Sequence, residues 1–182
     1  MEESIIIAGF GGQGVLLGGI ILANAFMLNN KNVTWYPCYG AEMRGGAVNC
    51  EIVVSDKEVT SVHKKEADYV IALNDLSFNK FVTRVKSGGT IIANTDFVAE
   101  NKPRNDINYI FANISETARE SGSIKAANMT ALGLLSQVCK TVDISFLEQA
   151  IEKVIPPEKA QIKELDKIAL TAGTEIKTEK ES

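Results

Sequence analysis

Cysteine and histidine are scarce: Cys38, Cys50 and Cys139 are scattered without a C-x-x-C pair, and His63 is the only histidine. A structural zinc site and an ordinary iron-sulfur cluster each need about four close-set ligands, so this chain alone is expected to bind neither. An odd count of scattered thiols fits a reducing cytoplasm better than a secreted disulfide framework. A basic excess is also missing, with 19 Lys plus Arg against 23 Asp plus Glu and a net charge of -4. No field is present to hold a nucleic-acid backbone, and none is expected as a partner. Long apolar runs are absent too. The stretch Val15 to Leu28 is broken by Gly18, Gly19 and Asn24 and is shorter than the ~20 residues of a bilayer span, so it reads as a buried helix and no membrane contact is expected. Met1-Glu2-Glu3-Ser4 is acidic where a signal peptide is positive, so export is not expected. What remains is ordinary for a globular protein: 45% apolar and 23% charged residues in a chain of 182. A single compact unit over residues 1–173 with a fraying polar tail, 174–182, is the expectation.

The pattern of apolar runs predicts an α/β protein: a three-layer α/β/α domain with a mostly parallel central sheet and C-terminal helices. Ser4 to Gly9 reads as a central strand, Gln13 to Asn29 as a helix, and Asn32 to Tyr36 as a second strand completing a β-α-β unit. Ala47 to Ser55 alternates, with Val48, Cys50, Ile52 and Val54 on one face, which predicts a two-faced strand and a hairpin with Glu58 to Ser61. Ala67 to Leu73 is a third apolar run, and Asn74 is placed to cap a helix to about Val85 that Ser87-Gly88-Gly89 would stop. Strands are expected at Thr90 to Asn94 and Tyr109 to Ala112, and Ser115 as the cap of a short helix. Helices then follow over Ala127 to Lys140, from a Ser145-x-x-Glu148 capping box to about Ile155, and after Pro156-Pro157 to about Ala172, where Gly173 would end the last one.

Gly9-Phe10-Gly11-Gly12-Gln13-Gly14 lies between the first strand and helix and satisfies G-x-G-x-x-G. Glycines there permit positive φ and let backbone N-H groups approach a diphosphate at the positive end of a helix. A dinucleotide site also wants an acid at the end of the second strand, and here that strand ends Trp35-Tyr36-Pro37-Cys38. The glycines can equally serve tight helix-strand packing. The second feature is Tyr39-Gly40-Ala41-Glu42-Met43-Arg44-Gly45-Gly46, a loop at the same ends of the strands. Its arginine and glycines suit an anion pocket; a solvated Glu42-Arg44 pair is the plain alternative. Cys38 reads as a bystander thiol, His63 as a member of an exposed charged turn, and Asn128 as either a helix cap or a ligand contact. No G-x-S-x-G elbow or other catalytic constellation is present.

Taken together, IIIAGFGGQGVLLGGIILA, YPCYGAEMRGG with the strand after it, VIALN and AANMTALGLL resemble the gamma subunit of 2-oxoacid:ferredoxin oxidoreductases. The similarity runs from about Ile5 to Gly173 and is closer to the 2-oxoglutarate and 2-oxoisovalerate (branched-chain) forms than to the pyruvate form. Cys38 and Ala41 stand where those relatives often show serine and proline. The resemblance implies a cytoplasmic multisubunit oxidoreductase that decarboxylates a 2-oxoacid on thiamine diphosphate, passes electrons through iron-sulfur clusters to ferredoxin or flavodoxin, and forms an acyl-coenzyme A. Thiamine diphosphate and the clusters would sit in partner alpha, beta and ferredoxin-like delta subunits. This chain would supply no catalytic or metal-binding residue, be inactive alone, and be associated with coenzyme A access. Gly9, Gly11, Gly12, Gln13, Gly14, Tyr39, Glu42, Met43, Arg44 and Asn128 would then form its cofactor-binding or partner-facing surface, and the isolated chain could form a homodimer through the vacated surface. Two other readings stay open at this point: a free-standing dinucleotide-dependent oxidoreductase, and a structural adaptor that docks only protein.

Overall fold

A computed structural model describes residues 1–38 and 47–178. Twelve regular elements follow one another: β1 (Glu2–Phe10), α1 (Val15–Leu28), β2 (Asn32–Cys38), β3 (Ala47–Ser55), β4 (Ala67–Ala72), α2 (Asp75–Phe81), β5 (Val85–Asn94), β6 (Asn108–Ala112), α3 (Ile114–Glu120), α4 (Ala127–Val138), α5 (Ile144–Val154) and α6 (Ala160–Glu175). The strands form one six-stranded sheet in the order β2-β3-β1-β4-β5-β6. β1, β4, β5 and β6 run parallel, while β3 is antiparallel to both β1 and β2. The expected α/β architecture is present, and its layers are unequal. Ile5, Ile7, Cys50, Ile52, Ile71 and Ile92 bury one face of the sheet against α1, α4 and the helices behind them. On the other face Ile6, Ala8, Val70, Ile91 and Ala93 are covered by Phe78, Phe81 and Val82, from α2 and the short 3-10 turn after it.

Several local expectations are corrected. β2 does not pair with β1, because β3 inserts between them; the hairpin partner of β3 is β2, while Glu58–Ser61 contains no strand. β3 can take that central place because both of its faces are buried. Its polar face hides Glu51, 4% exposed, whose carboxylate accepts from Arg84 Nη1 at 2.6 Å and lies 2.8 Å from His63 Nδ1. A buried carboxylate is tolerated when paired and hydrogen-bonded, and Arg84 also donates to the carbonyls of Lys64 and Lys65, pinning the β3-β4 connection to the sheet. His63 is therefore exposed but engaged.

α2 stops at Phe81, and Ser87-Gly88-Gly89 lies inside β5 rather than ending a helix; the strand passes through positive φ at Gly88 where its register against β4 shifts. Asn74 caps α2 as expected, accepting from Ser77 N at 2.9 Å. Ser145 does not cap α5: Asp143 does, its Oδ1 accepting from Ser145 N at 2.8 Å. Ser115 likewise sits inside α3, where its N-H and that of Glu116 donate to the Asp96 carboxylate at 2.8 and 3.0 Å. Gly173 does not end α6, which continues to Glu175, and Gln137 Nε2 holds the start of the expected frayed tail through the carbonyls of Gly173 and Ile176.

One side chain in α6 is poorly placed for stability. Asp166 is 5% exposed, its Oδ2 has no partner, and burial pushes its carboxyl up to about 6. The folded state thus retains a proton that the unfolded chain releases near pH ~4, so stability is greatest below that value, falls as pH rises to about 6, and is flat above. Asp166→Asn is expected to remove this slope and raise the melting temperature at pH 7.5 by roughly 3–6 °C, with no gain at pH 4. Thermal melts across that pH range check it.

Candidate functional site

The site begins where β1 runs out. After Phe10 the chain turns through Gly11 and Gly12 and enters α1 at Gly14, which adopts a left-handed conformation with φ 69°. Gln13 braces the turn from within. Its Oε1 accepts from Phe10 N at 2.7 Å and from Asn74 Nδ2 at 3.0 Å, while Nε2 donates to the Leu73 carbonyl at 3.2 Å. Gln13 thereby ties the end of β1 to the end of β4, and its amide is spent inside the protein. Gln13→Ala would strip partners from a backbone donor, an acceptor and the Asn74 amide; a loss of about 1–3 kcal/mol is expected in urea unfolding.

Asn128, in the first turn of α4 and 3% exposed, donates from Nδ2 to the Gly14 carbonyl at 3.0 Å; its Oδ1 has no partner among the described residues. A Cβ at Gly14 would lie 2.5 Å from Asn128 Nδ2. Through this contact the first turns of α1 and α4 meet at the rim, and both bring positive dipole ends to it.

The four glycines do different work. A Cβ at Gly9 would strike Gln13 Oε1 at 2.7 Å and Val15 Cγ2 at 2.9 Å, and Gly14 is closed off by Asn128, so both are packing positions. Gly12 has φ 98°, which favours glycine whatever the space. Gly11 is the exception: its φ is not positive, and a Cβ there would meet nothing within 4 Å among the described residues. Among the described residues nothing occupies the space that a side chain at Gly11 would take.

Tyr39, Glu42, Met43 and Arg44 lie outside the described residues. The strands that carry them do not. Ala47, where β3 starts, is the register partner of Phe10, and Cys38, where β2 ends, is opposite Asn49. Both ends of the 39–46 segment therefore spring from the same rim as the glycine turn, within one or two strand spacings of ~4.8 Å.

The cysteines are poor nucleophiles. Burial, followed by the Glu51 charge, pushes the Cys38 thiol up; burial takes Cys50 to about 12 and Cys139 to about 11. Among the described residues no group of three or more His, Cys, Asp or Glu side chains is placed to hold a metal ion, and no helix is long and apolar enough to cross a membrane. The sequence reading missed Asn74 as a brace of the turn and Glu51 as the anchor of the β3-β4 connection. A charged residue in the middle of the apolar run Cys50-Glu51-Ile52-Val53-Val54 was the available signal for the second.

A six-stranded α/β sheet of this order, with a glycine turn braced from within between β1 and α1, is the fold of a gamma subunit of the oxoacid oxidoreductases. The gamma subunit of a keto/oxoacid ferredoxin oxidoreductase from Geobacter sulfurreducens superposes with a TM-score of 0.82 at 26% identity, over 96% of this chain and 98% of that one. Residues 4–176 match the family described as pyruvate ferredoxin/flavodoxin oxidoreductase, and the chain belongs to that family. The 2-oxoglutarate synthase subunit KorC of Methanothermobacter marburgensis is 34% identical over 97% of both chains. Ketoisovalerate oxidoreductase subunit VorA of the same organism is 37% identical over 74% of this chain but only 28% of its own length. A 2-oxoglutarate:ferredoxin oxidoreductase from Magnetococcus marinus, solved with 2-oxoglutarate, coenzyme A and succinyl-CoA bound, shares the fold with a TM-score of 0.86 at 20% identity, over 96% of this chain and 30% of that one. The chain is a subunit of an oxidoreductase of the 2-oxoacid:ferredoxin type.

Proposed function

We propose that this chain is the non-catalytic gamma subunit of a 2-oxoglutarate:ferredoxin oxidoreductase and that its glycine rim docks against the catalytic chains beside the path of coenzyme A. The observation that supports this reading is Gly11, a residue beside which no described residue takes the place of the missing side chain. Coenzyme A suits the same rim. The exposed turn at Gly11 and Gly12 leaves room for a phosphate, and the first turn of α1, which has no side-chain cap, offers N-H groups and a positive dipole end to an anion. Arg44 would add a forked cation from the neighbouring segment. Thiamine diphosphate and iron-sulfur clusters would supply the decarboxylation and electron transfer, and both belong to alpha, beta and ferredoxin-like delta partners; the described residues of this chain offer no ligand set for a cluster. This chain's part is to bind, orient and exclude water at one wall of the assembled site.

The dinucleotide reading is weakened by topology. Beside β1, where a dinucleotide fold has a parallel strand ending in an acid, this sheet has antiparallel β3, and the C-terminal end of β2 carries Cys38. A purely structural adaptor remains the rival. Arg44→Ala separates the two: under the coenzyme A reading the KM for coenzyme A rises in the assembled enzyme, whereas an adaptor would lose assembly with that KM unchanged.

The main test is to purify the chain with and without its co-encoded neighbours and assay 2-oxoglutarate-dependent reduction of a viologen dye. Activity is expected only in the assembly; turnover by the isolated chain would contradict the assignment.

A further inference from the structure

α6 is held to the body of the protein unevenly along its length. Its second half is locked. Ala169, Leu170 and Gly173 are buried, a Cβ at Gly173 would lie 2.1 Å from the Thr130 carbonyl oxygen, and Gln137 Nε2 donates to the carbonyls of Gly173 and Ile176. In the first half, from Ala160 to Ile168, only one side chain is buried, and it belongs to Asp166. Leu165 is half-buried against the turn at Gly122, while Ile162 and Ile168 are exposed. No side chain caps the helix start at Lys159. Lys163 and Lys167 both pair with Glu152 of α5, but ion pairs on so open a carboxylate add little stability.

Where this half of the helix needs an apolar anchor it has a carboxyl group. No hydrogen bond or ion pair reaches Asp166 Oδ2 among the described residues. α4, against which the buried stripe of α6 packs, has no charged residue. The other elements beside α6 carry Glu116, Arg119 and Glu120 on α3, Lys125 before α4, Glu148, Glu152 and Lys153 on α5, and Glu158 and Lys159 at the turn before α6. Neither these charges nor Lys163, Glu164, Lys167 and Glu175 of α6 itself act on the Asp166 carboxyl, whose rise to about 6 has burial as its one cause. A carboxyl buried without a partner is tolerated when neutral and driven toward water when ionised. The least disruptive way to reach water is to release the half-helix that nothing else buries.

We propose that the first half of α6 is a proton-sensitive clasp, closed on the body of the protein while Asp166 is neutral and swinging out about Ala169 and Leu170 when Asp166 ionises, with the second half of the helix left in place. In the open form the carboxyl regains the ordinary value near ~4. Opening is therefore rarest below that pH, grows about tenfold per pH unit up to about 6, and is level above. This inference is independent of the function proposed above.

The test is residue-resolved amide hydrogen exchange of the full chain from about pH 4 to about pH 7, with intrinsic rates divided out and urea kept below the unfolding transition. The amides of Glu164 to Ile168 should be less protected than those of Leu132 to Leu135 and should lose at least about tenfold in protection as pH rises. They should also respond little to urea, because a released half-helix exposes little surface, whereas Leu132 to Leu135 should show the full urea dependence of global unfolding. Asp166→Asn should abolish the pH dependence of the Glu164 to Ile168 amides. Glu152→Gln should lower their protection and leave that dependence in place. In the wild-type chain the Asp166 carboxyl carbon, followed by NMR, should titrate at the pH where protection levels off, a reading that stands even if Asp166→Asn does not fold. The proposal is overturned if these amides share the protection and urea dependence of Leu132 to Leu135, or if their pH dependence survives Asp166→Asn or disappears with Glu152→Gln. A carboxyl that titrates near ~4 in the wild-type chain overturns it as well.

Discussion

Gly133→Ala is expected to destabilise the protein by about 3 kcal/mol or more, lowering its melting temperature by roughly 6–12 °C. Alanine is the best helix former and would stabilise an isolated α4 by about 1 kcal/mol. Packing reverses the sign. α4 and α6 cross with their backbones in contact: a Cβ at Gly133 would lie 2.0 Å from the Leu170 carbonyl oxygen, and one at Gly173 would lie 2.1 Å from that of Thr130. The obstacle in both cases is helical backbone, which cannot swing aside as a side chain can. Either the helices separate, opening a gap around Leu132, Leu135 and Leu170, or the first turns of α4 shift and take Asn128 away from Gly14. Gly173→Ala should behave the same way. Circular-dichroism melts of both variants beside wild type check this, and a change below about 0.5 kcal/mol, the usual range for neutral surface sites, would show that the helices do not meet at these glycines.

The second large effect falls on function and spares the fold. Gly11→Val places two methyl groups where none of the described residues stands within 4 Å, at a residue without positive φ. Its melting temperature should stay within about 2 °C of wild type. In the assembled oxidoreductase the same side chain would occupy the space proposed above for a partner surface or a coenzyme A phosphate, and on that proposal 2-oxoglutarate-dependent dye reduction should fall at least about tenfold, equivalent to about 1.4 kcal/mol of lost interaction. A fall in activity with assembly intact places coenzyme A at the turn; a fall in assembly places a protein there. Retention of both would mean that Gly11 faces only solvent. Gly14→Val is the contrasting variant, since its Cβ would strike Asn128 and its φ is 69°, so it should lose stability as well as activity.

The elements that frame the glycine turn were legible in the sequence because their signals are local. A β-branched run ending in glycines places a strand end and a helix start, and Asn74 before an amphipathic segment places a cap; both fell where expected. What escaped the sequence depends on contacts between distant residues. Gly173 followed by a polar tail has the local appearance of a helix stop, yet its glycine answers to Thr130, more than forty positions earlier. Gly88-Gly89 looks like a terminator until the register shift against β4 reveals a bulged strand. The apparent β-α-β unit concealed the return of β3 between β1 and β2; Pro37, which cannot donate to a ladder, was a local sign that Asn32–Cys38 is an edge strand. Gln13, read as a ligand contact, shows the same limit at the site itself: its partners Leu73 and Asn74 are sixty residues away.

The central claim is that the rim at Gly11 is a docking surface for something this polypeptide does not contain. A density map of the chain assembled with its co-encoded neighbours tests it most directly. The account predicts that a partner backbone, a partner side chain or coenzyme A lies within about 4 Å of the Gly11 Cα. Bulk solvent over Gly11 and Gly12 in a complete, active complex would contradict it.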